Sequence, residues 1–332
     1  MQDTDHQSTN LDYAELGPDT IIDAVESLGC LCNGQILALN SYENRVYRVG
    51  IEDRTPVIAK FYRPERWTNA QILEEHEFCE ELVEADLPVV KPLKFDDDSL
   101  FEFNGYRFAL YPLQGGRAAE FDNLDNLFTM GRYMGRMHAA ASAKSFVHRP
   151  SINNQSFGYE SASLISREFI PASLKEVYCS VTDELLAIID QRLSAYPNIH
   201  TIRTHGDCHS GNVLWRDDAP HFVDFDDART APAIQDIWML LSGARNEQEI
   251  QLSSILEGYE EFARFNAEEL CIMEALRSLR IMHYAAWLAR RWTDPAFPRA
   301  FPWFHTERYW GEHILELKEQ LSAMQEPPLR LL

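Results

Sequence analysis

The order of apolar and polar positions changes character along this chain. Early positions repeat with period two, and most later ones fall at helical spacing. Residues 1–10 are polar and are expected to fray. Behind Pro18, Thr20-Ile21-Ile22-Asp23-Ala24-Val25 predicts a short amphipathic helix that stops near Gly29. From Gln35 to Phe61 the pattern is strand-like: Val46-Tyr47-Arg48-Val49 alternates, and Pro56-Val57-Ile58-Ala59-Lys60-Phe61 is rich in β formers. Between them, Leu39-Asn40-Ser41-Tyr42-Glu43-Asn44 is a run of small and polar turn formers. Thr68-Asn69-Ala70-Gln71 has capping-box spacing and opens a helix over 71–85. Ile72, Cys79, Leu82 and Val83 share its apolar face, and Pro88 ends it. Two further strands are expected at Leu93–Phe95 and Tyr106–Tyr111 before Pro112 and Gly115-Gly116 break the pattern.

Helical spacing dominates thereafter. Leu127, Met130, Met134, Met137 and Ala141 form a stripe, which reads as core rather than as a cofactor box. Val181–Leu193, Gln235–Gly243 and Glu268–Arg291 predict more helices, and an island of short strands and turns from Thr201 to Asp227 interrupts them. The chain is therefore expected to be α+β. A β-rich lobe over residues 1–113, with an antiparallel sheet and one main helix, precedes a larger, mostly helical lobe over 114–332.

Composition narrows the function classes. The 332 residues suggest about two domains or lobes, and 45% hydrophobic content supplies a core. Thirty Lys and Arg against 52 Asp and Glu give a net charge of −22. That excess argues against nucleic acid and anionic membranes as partners, and it favours basic acceptors by steering. The first Lys or Arg is Arg45 and no apolar run approaches a bilayer span, so neither leader nor membrane helix is expected and the protein is read as cytoplasmic. Six scattered cysteines without a CxxC pair read as reduced thiols.

The chemistry concentrates in the island. Thr204-His205-Gly206-Asp207-Cys208-His209-Ser210-Gly211-Asn212 precedes apolar Val213-Leu214-Trp215, and His221-Phe222-Val223-Asp224-Phe225-Asp226-Asp227 follows. Each acidic or amide group stands at the end of a strand-like stretch, where a scaffold can present it on a loop. Phosphoryl transfer from ATP needs a carboxylate at the acceptor hydroxyl and oxygen ligands for Mg²⁺. Asp207 and Asn212 have the five-residue spacing of a kinase catalytic loop, and Asp224 stands twelve residues on, where a metal-binding Asp is required. Upstream, Lys60 in Val57-Ile58-Ala59-Lys60 suits the α/β phosphates. Glu74, Glu75 and Glu77 are candidate partners for it, with Glu75 preferred. Five features in one required order outweigh the alternative that each Asp merely forms a turn. His205 is read as a brace of the loop. A His205-x-Asp207-x-His209 metal triad is the rival reading, and neither GxxxxGK[ST] nor GxGxxG is present.

These motifs resemble the aminoglycoside phosphotransferase and choline kinase branch of the protein-kinase-like fold. Leu39–Tyr47, Phe61–Trp67, Trp238–Leu241 and Ala286–Trp292 are similar, more narrowly, to a family of bacterial stress-response Ser/Thr kinases. The resemblance implies a bilobal protein-kinase-like fold and an ATP- and Mg²⁺-dependent Ser/Thr protein kinase. It implies a monomeric, cytoplasmic phosphoprotein tied to stress response and to suppression of cell death, with a small-molecule alcohol kinase as the alternative. It further implies Asp207 as proton acceptor, Asn212 and Asp224 as Mg²⁺ ligands, and Ser41 on the loop over the ATP phosphates. Tyr111 to Leu113 become the hinge beside adenine, and Asp236 braces the catalytic loop. Gly206 stands where protein kinases carry the Arg that receives an activation-loop phosphate. Only eleven residues separate Asp224 from Asp236, so no phosphate-dependent activation loop is expected. The aromatic stretch Trp287 to Trp310 is either acceptor-site wall or packing of the last helices.

Overall fold

The computed structural model describes Tyr13 and residues 16–332. The polar segment 1–10 lies outside the described residues. Two compact units separate: the described residues up to Glu80 with Val90–Gly115, and Glu81–Val89 with Gly116–Leu332.

In the first unit, α1 (Pro18–Glu26) precedes β1 (Cys32–Ala38), β2 (Arg45–Ile51) and β3 (Val57–Phe61). Helix α2 (Asn69–Glu84) follows, then β4 (Phe101–Phe103) and β5 (Tyr106–Pro112). The strands pair antiparallel in the order β1-β2-β3-β5-β4. Pleating sends Ala59 and Phe61 into a core with Val49, Phe108, Leu110 and the α1 residues Ile21 and Val25. Lys60 therefore points to the opposite face, in register with Val46 and Ala109. On that face Ala109 packs with Tyr62, Trp67 and Ile72. The capping box of α2 forms as its spacing predicts: Gln71 Oε1 accepts the Thr68 N–H at 2.9 Å, and Thr68 Oγ1 accepts the Gln71 N–H at 3.2 Å.

One strand is displaced from expectation. Leu93–Phe95 reduces to a single bridge between Phe95 and Asp98. The neighbour of β5 is β4, joined to it through Asn104-Gly105, both at positive φ (50° and 81°). An Asn-Gly pair adopts that conformation at little cost, and its twist suits an antiparallel hairpin.

The second unit carries α3 (Leu124–Ala141), α4 (Glu160–Glu168), α5 (Lys175–Ala195), α6 (Ile234–Trp238), α7 (Arg245–Tyr259), α8 (Met273–Arg290), α9 (Ala296–Ala300) and α10 (Glu307–Ala323). The short strands β6 (Arg117–Ala118), β7 (Ile202–Thr204), β8 (Val213–Arg216), β9 (Ala219–Phe222) and β10 (Arg229–Ala231) interrupt them. The Met stripe of α3 is core, with Met130 and Met134 fully buried. Helices α3 and α7 cross closely because α3 offers glycines: a Cβ at Gly131 would fall 1.9 Å from the Ile255 carbonyl oxygen, and one at Gly135 would fall 2.4 Å from that of Tyr259. Two expected helices are shorter than their periodicity. Helix α6 stops at Trp238, where Leu241 N–H returns to the Trp238 carbonyl. Residues 267–272 form a 3-10 turn ahead of α8, because the Asn266 side chain caps Glu268 N–H and Glu269 is turned inward and buried. Trp310, Phe297 and Phe304 are buried packing for the last helices, while Tyr284 and Trp303 remain open to solvent. Among the described residues no helix is long and apolar enough to cross a membrane.

Candidate active site

Strand β7 delivers the chain into a loop that begins at His205. Gly206 sits at φ +81°, and a Cβ there would lie 2.1 Å from the Asp227 carbonyl oxygen. Only glycine fits, which explains why the loop cannot carry the Arg of ordinary protein kinases. Asp236 on α6, wholly buried, accepts the N–H groups of His205 and Gly206, both at 2.8 Å. His138 of α3 approaches the same carboxylate at 3.2 Å, and its other ring nitrogen meets the Tyr259 hydroxyl at 3.1 Å. Burial alone would raise the Asp236 pKa. The His138 hydrogen bond, the nearby His138 and His205 and the Gly206 N–H outweigh it and hold the carboxyl below its usual range. Beneath α6, Glu269 Oε2 accepts the Ile234 N–H at 2.8 Å, and burial pushes its pKa up to about 7.

Asp207 follows, its side chain 17% exposed. Asn212 Nδ2 donates to the Asp207 carbonyl at 2.9 Å, which leaves the Asn212 amide oxygen for another partner. The Asn212 carbonyl accepts the Val223 N–H at 3.1 Å, so the residue before Asp224 is tied to Asn212. His205 braces the same two segments: its Nδ1 faces the Asp207 N–H at 3.4 Å, and its Nε2 donates to the Val223 carbonyl at 3.0 Å. Both ring nitrogens are thus committed within the loops, and His209 Nδ1 accepts the Gly211 N–H at 2.9 Å. The rival His-Asp-His triad does not assemble; among the described residues no group of three or more His, Cys, Asp or Glu could hold a metal. The Cys208 thiol, buried in the same loop, is pushed well above its usual pKa by burial and by Asp236 and Asp207, so it stays protonated.

Asp224 adopts φ 59° and ψ 65°, a left-handed conformation that costs a non-glycine residue about 1 kcal/mol. The surrounding structure enforces it. Phe225 packs its ring 4.4 Å from that of His205. Arg149, 4% exposed, donates to the carbonyls of Asp226 at 2.6 Å and Ala228 at 3.3 Å. Strand β10 then pairs with β7, and Thr230 N–H donates to the Pro150 carbonyl. The segment between Asp224 and Asp236 is thereby tied down, with no long excursion. The amide oxygen of Asn212 and the carboxylate of Asp224 are hard oxygen donors. Two such donors fit a divalent cation that completes its shell with phosphate and water.

In the first unit, Lys60 (6% exposed) and Glu75 (2%) are both buried. Of the three acidic candidates on α2, Glu74 is half-buried and Glu77 exposed. Lys60 and Glu75 both act on the Tyr111 hydroxyl, whose pKa burial raises, and which meets Tyr62 Oη at 3.0 Å. Tyr111 lies in β5 against Ile58, and Leu113 follows, half-buried. Ser41 is half-buried in the turn between β1 and β2. That turn is clasped from below: Arg63 donates to the carbonyls of Glu43 (2.9 Å) and Tyr42 (3.2 Å), and Glu43 pairs with Arg63 (3.0 Å) and Arg66 (3.7 Å).

Sequence reasoning did not find Arg149, Glu269, His138, the Arg63–Glu43 clasp, or Arg280, which reaches Asp207 from α8. None carries a local signal; each partner is distant in the chain.

Comparisons with known proteins identify the family. The model of the phosphotransferase enzyme family matches residues 35–270. The chain is 47% identical over 320 residues to stress response kinase A of Escherichia coli O157:H7, covering 96% of this chain and 97% of that one. It is 44% identical over the same length and shares to the serine/threonine protein kinase RdoA of Salmonella typhimurium (strain LT2). Among solved structures, amicoumacin kinase hAmiN in complex with AMP-PNP, Ca²⁺ and Ami superimposes with a TM-score of 0.70 at 18% identity, covering 90% of this chain and 91% of that one. The fold is protein-kinase-like.

Proposed function

The chain belongs to the phosphotransferase enzyme family and is a kinase, and from that premise we propose that it is an ATP- and Mg²⁺-dependent Ser/Thr protein kinase. Asp207 takes the proton of the acceptor hydroxyl, and Asn212 and Asp224 hold Mg²⁺, which neutralises phosphate charge when bound. In an N-terminal nucleotide-binding lobe over residues 1–113, Lys60 neutralises the α/β phosphates with Glu75 as its partner. Ser41 lies on the phosphate loop, and the backbone from Tyr111 to Leu113 faces adenine. Residues 114–332 carry catalysis and the acceptor. The enzyme acts as a cytoplasmic monomer on proteins, itself included, within a bacterial stress response that suppresses cell death.

The observation that carries this reading is the shared brace of the second unit. One buried histidine, His205, links the Asp207 loop to the Val223-Asp224 segment, and Asn212 bonds to both. Oxygen donors from two loops held together in this way match what phosphoryl transfer requires. The protein acceptor is favoured by the name of one relative that covers nearly the whole chain, a serine/threonine protein kinase. The alternative, a small-molecule alcohol kinase, is favoured by the solved structure described above, an amicoumacin kinase.

Incubation with labelled ATP and Mg²⁺ tests both readings. Label on protein Ser or Thr supports the first, and label on a metabolite fraction alone replaces it with the second. Asp207→Ala is expected to abolish transfer while retaining ATP binding, and Asp224→Ala to weaken Mg·ATP binding as well. Turnover retained in Asp207→Ala contradicts the assigned role.

A further inference from the structure

Arg280 stands on α8, 73 residues from Asp207, and its Nη2 donates to Asp207 Oδ1 in a direct ion pair. Both side chains are mostly covered, 25% and 17% exposed. The opposite oxygen, Oδ2, has only His209 Nε2 nearby, at 3.7 Å, beyond hydrogen-bond distance, and accepts no hydrogen bond among the described residues. The backbone of Asp207 is fixed within its own loop by Asn212 and by the turn to His209. Its carboxylate is not fixed there, because rotation about the terminal bond of an Asp is soft. Arg280 supplies the missing constraint from another helix. The guanidinium holds one oxygen and leaves the other open.

We propose that Arg280 is the positioning residue of the transfer step and acts through Asp207. The inference rests on the reading of Asp207 as proton acceptor. In that step the acceptor oxygen bonds to the γ-phosphorus, its proton passes to Asp207 Oδ2, and the β–γ bridging P–O bond breaks, its electron pair leaving with ADP. A carboxylate that swings away from the acceptor slows this step without touching nucleotide binding. Misplacement by about 1 Å costs on the order of 10²-fold in rate. Lys in place of Arg restores the charge and one donor but not the planar fork, so it restores only part of the rate.

The test compares Arg280→Met, Arg280→Lys, Arg280→Gly, Asp207→Asn and the double variant of Arg280→Met with Asp207→Asn by turnover of Mg·ATP, with the chain itself and water as acceptors. Arg280→Met is expected to lower kcat roughly 10- to 100-fold with KM for ATP within about two-fold of the wild type. Arg280→Lys recovers part of the loss, and added guanidinium recovers activity in Arg280→Gly. In an Asp207→Asn background, Arg280→Met costs nothing further, because the two act as one unit. Wild-type kcat in Arg280→Met with an inactive Asp207→Asn overturns the inference and leaves the base assignment standing. A loss shared by kcat, ATP affinity and melting temperature, without rescue, also overturns it by making Arg280 merely structural. Full turnover in Asp207→Asn removes the base assignment itself, a distinct result.

Discussion

The two units hold their functional loops by opposite means. In the first, the turn around Ser41 is clasped through its carbonyls by Arg63, with Glu43 in ion pairs whose side chains keep 8–14% of their surface in solvent. In the second, the His205–Asp207 turn is held through its N–H groups by Asp236, which is wholly buried along with His138 and His205. A clasp of ion pairs that keep some contact with water is screened in part by salt and costs less to open than a network with none. A buried carboxylate with every partner in place is rigid, and it is costly to disturb because any partner left behind is stranded without water. The comparison assigns adjustability to the loop read as lying over the phosphates and rigidity to the loop that presents Asp207.

The largest way to break this contrast is Asp236→Ala. It strands two backbone N–H groups and His138 in the interior, and about 3–5 kcal/mol of stability is expected to go, read as a lowered urea midpoint. Phosphoryl transfer is expected to vanish with it. A loss below about 1 kcal/mol would mean that the buried hold is no stiffer than a surface pair.

Proton linkage at Glu269 probes the buried hold directly. The folded pKa, raised from 4.5 to about 7, favours the protonated form. Its contribution to stability is therefore complete below about pH 4.5 and is lost as pH rises through about 7, a change of roughly 3 kcal/mol. Glu269→Gln keeps a carbonyl for the Ile234 N–H and removes the charge. It is expected to be more stable than wild type at pH 8 and no more stable at pH 5, by denaturant unfolding at each pH. A constant difference across that range would refute the linkage.

The smallest effect is expected at the clasp. Glu43→Gln should lower stability by about 1 kcal/mol, well short of the Asp236→Ala loss, and raise KM for ATP severalfold with kcat unchanged. In high salt the gap between the variant and the wild type should narrow. A salt-independent loss would place the clasp with the buried network instead.

Much of the fold was legible because its signals are short-range. The α2 capping box spans Thr68 to Gln71, the core stripe of α3 repeats every turn, and β3 alternates around Lys60. The hairpin of β4 and β5 was also written locally, in Asn104-Gly105, but the weaker apolar run at Leu93–Phe95 obscured it. Helix α6 was overestimated because periodicity does not register where a chain must turn out of a helix. At the candidate site, the order and spacing of Asp207, Asn212 and Asp224 could be read directly, as could the bracing role of His205. Gly206 could be noted as an anomaly but not explained, since the atom that excludes its side chain belongs to Asp227.

The sequence by itself determined which candidate residues for phosphoryl transfer the chain carries, and in what order, because order and spacing are properties of the chain alone. Tertiary structure alone decided how they are aimed. Arg280 meets Asp207, Arg149 meets the Asp226 carbonyl, and Glu269 meets the first turn of α6, each across 35 to 77 residues. Such partners are chosen by helix packing, as where Gly131 and Gly135 let α7 bring Tyr259 to His138. A contact closed over a long loop leaves no periodic trace in the chain that makes it.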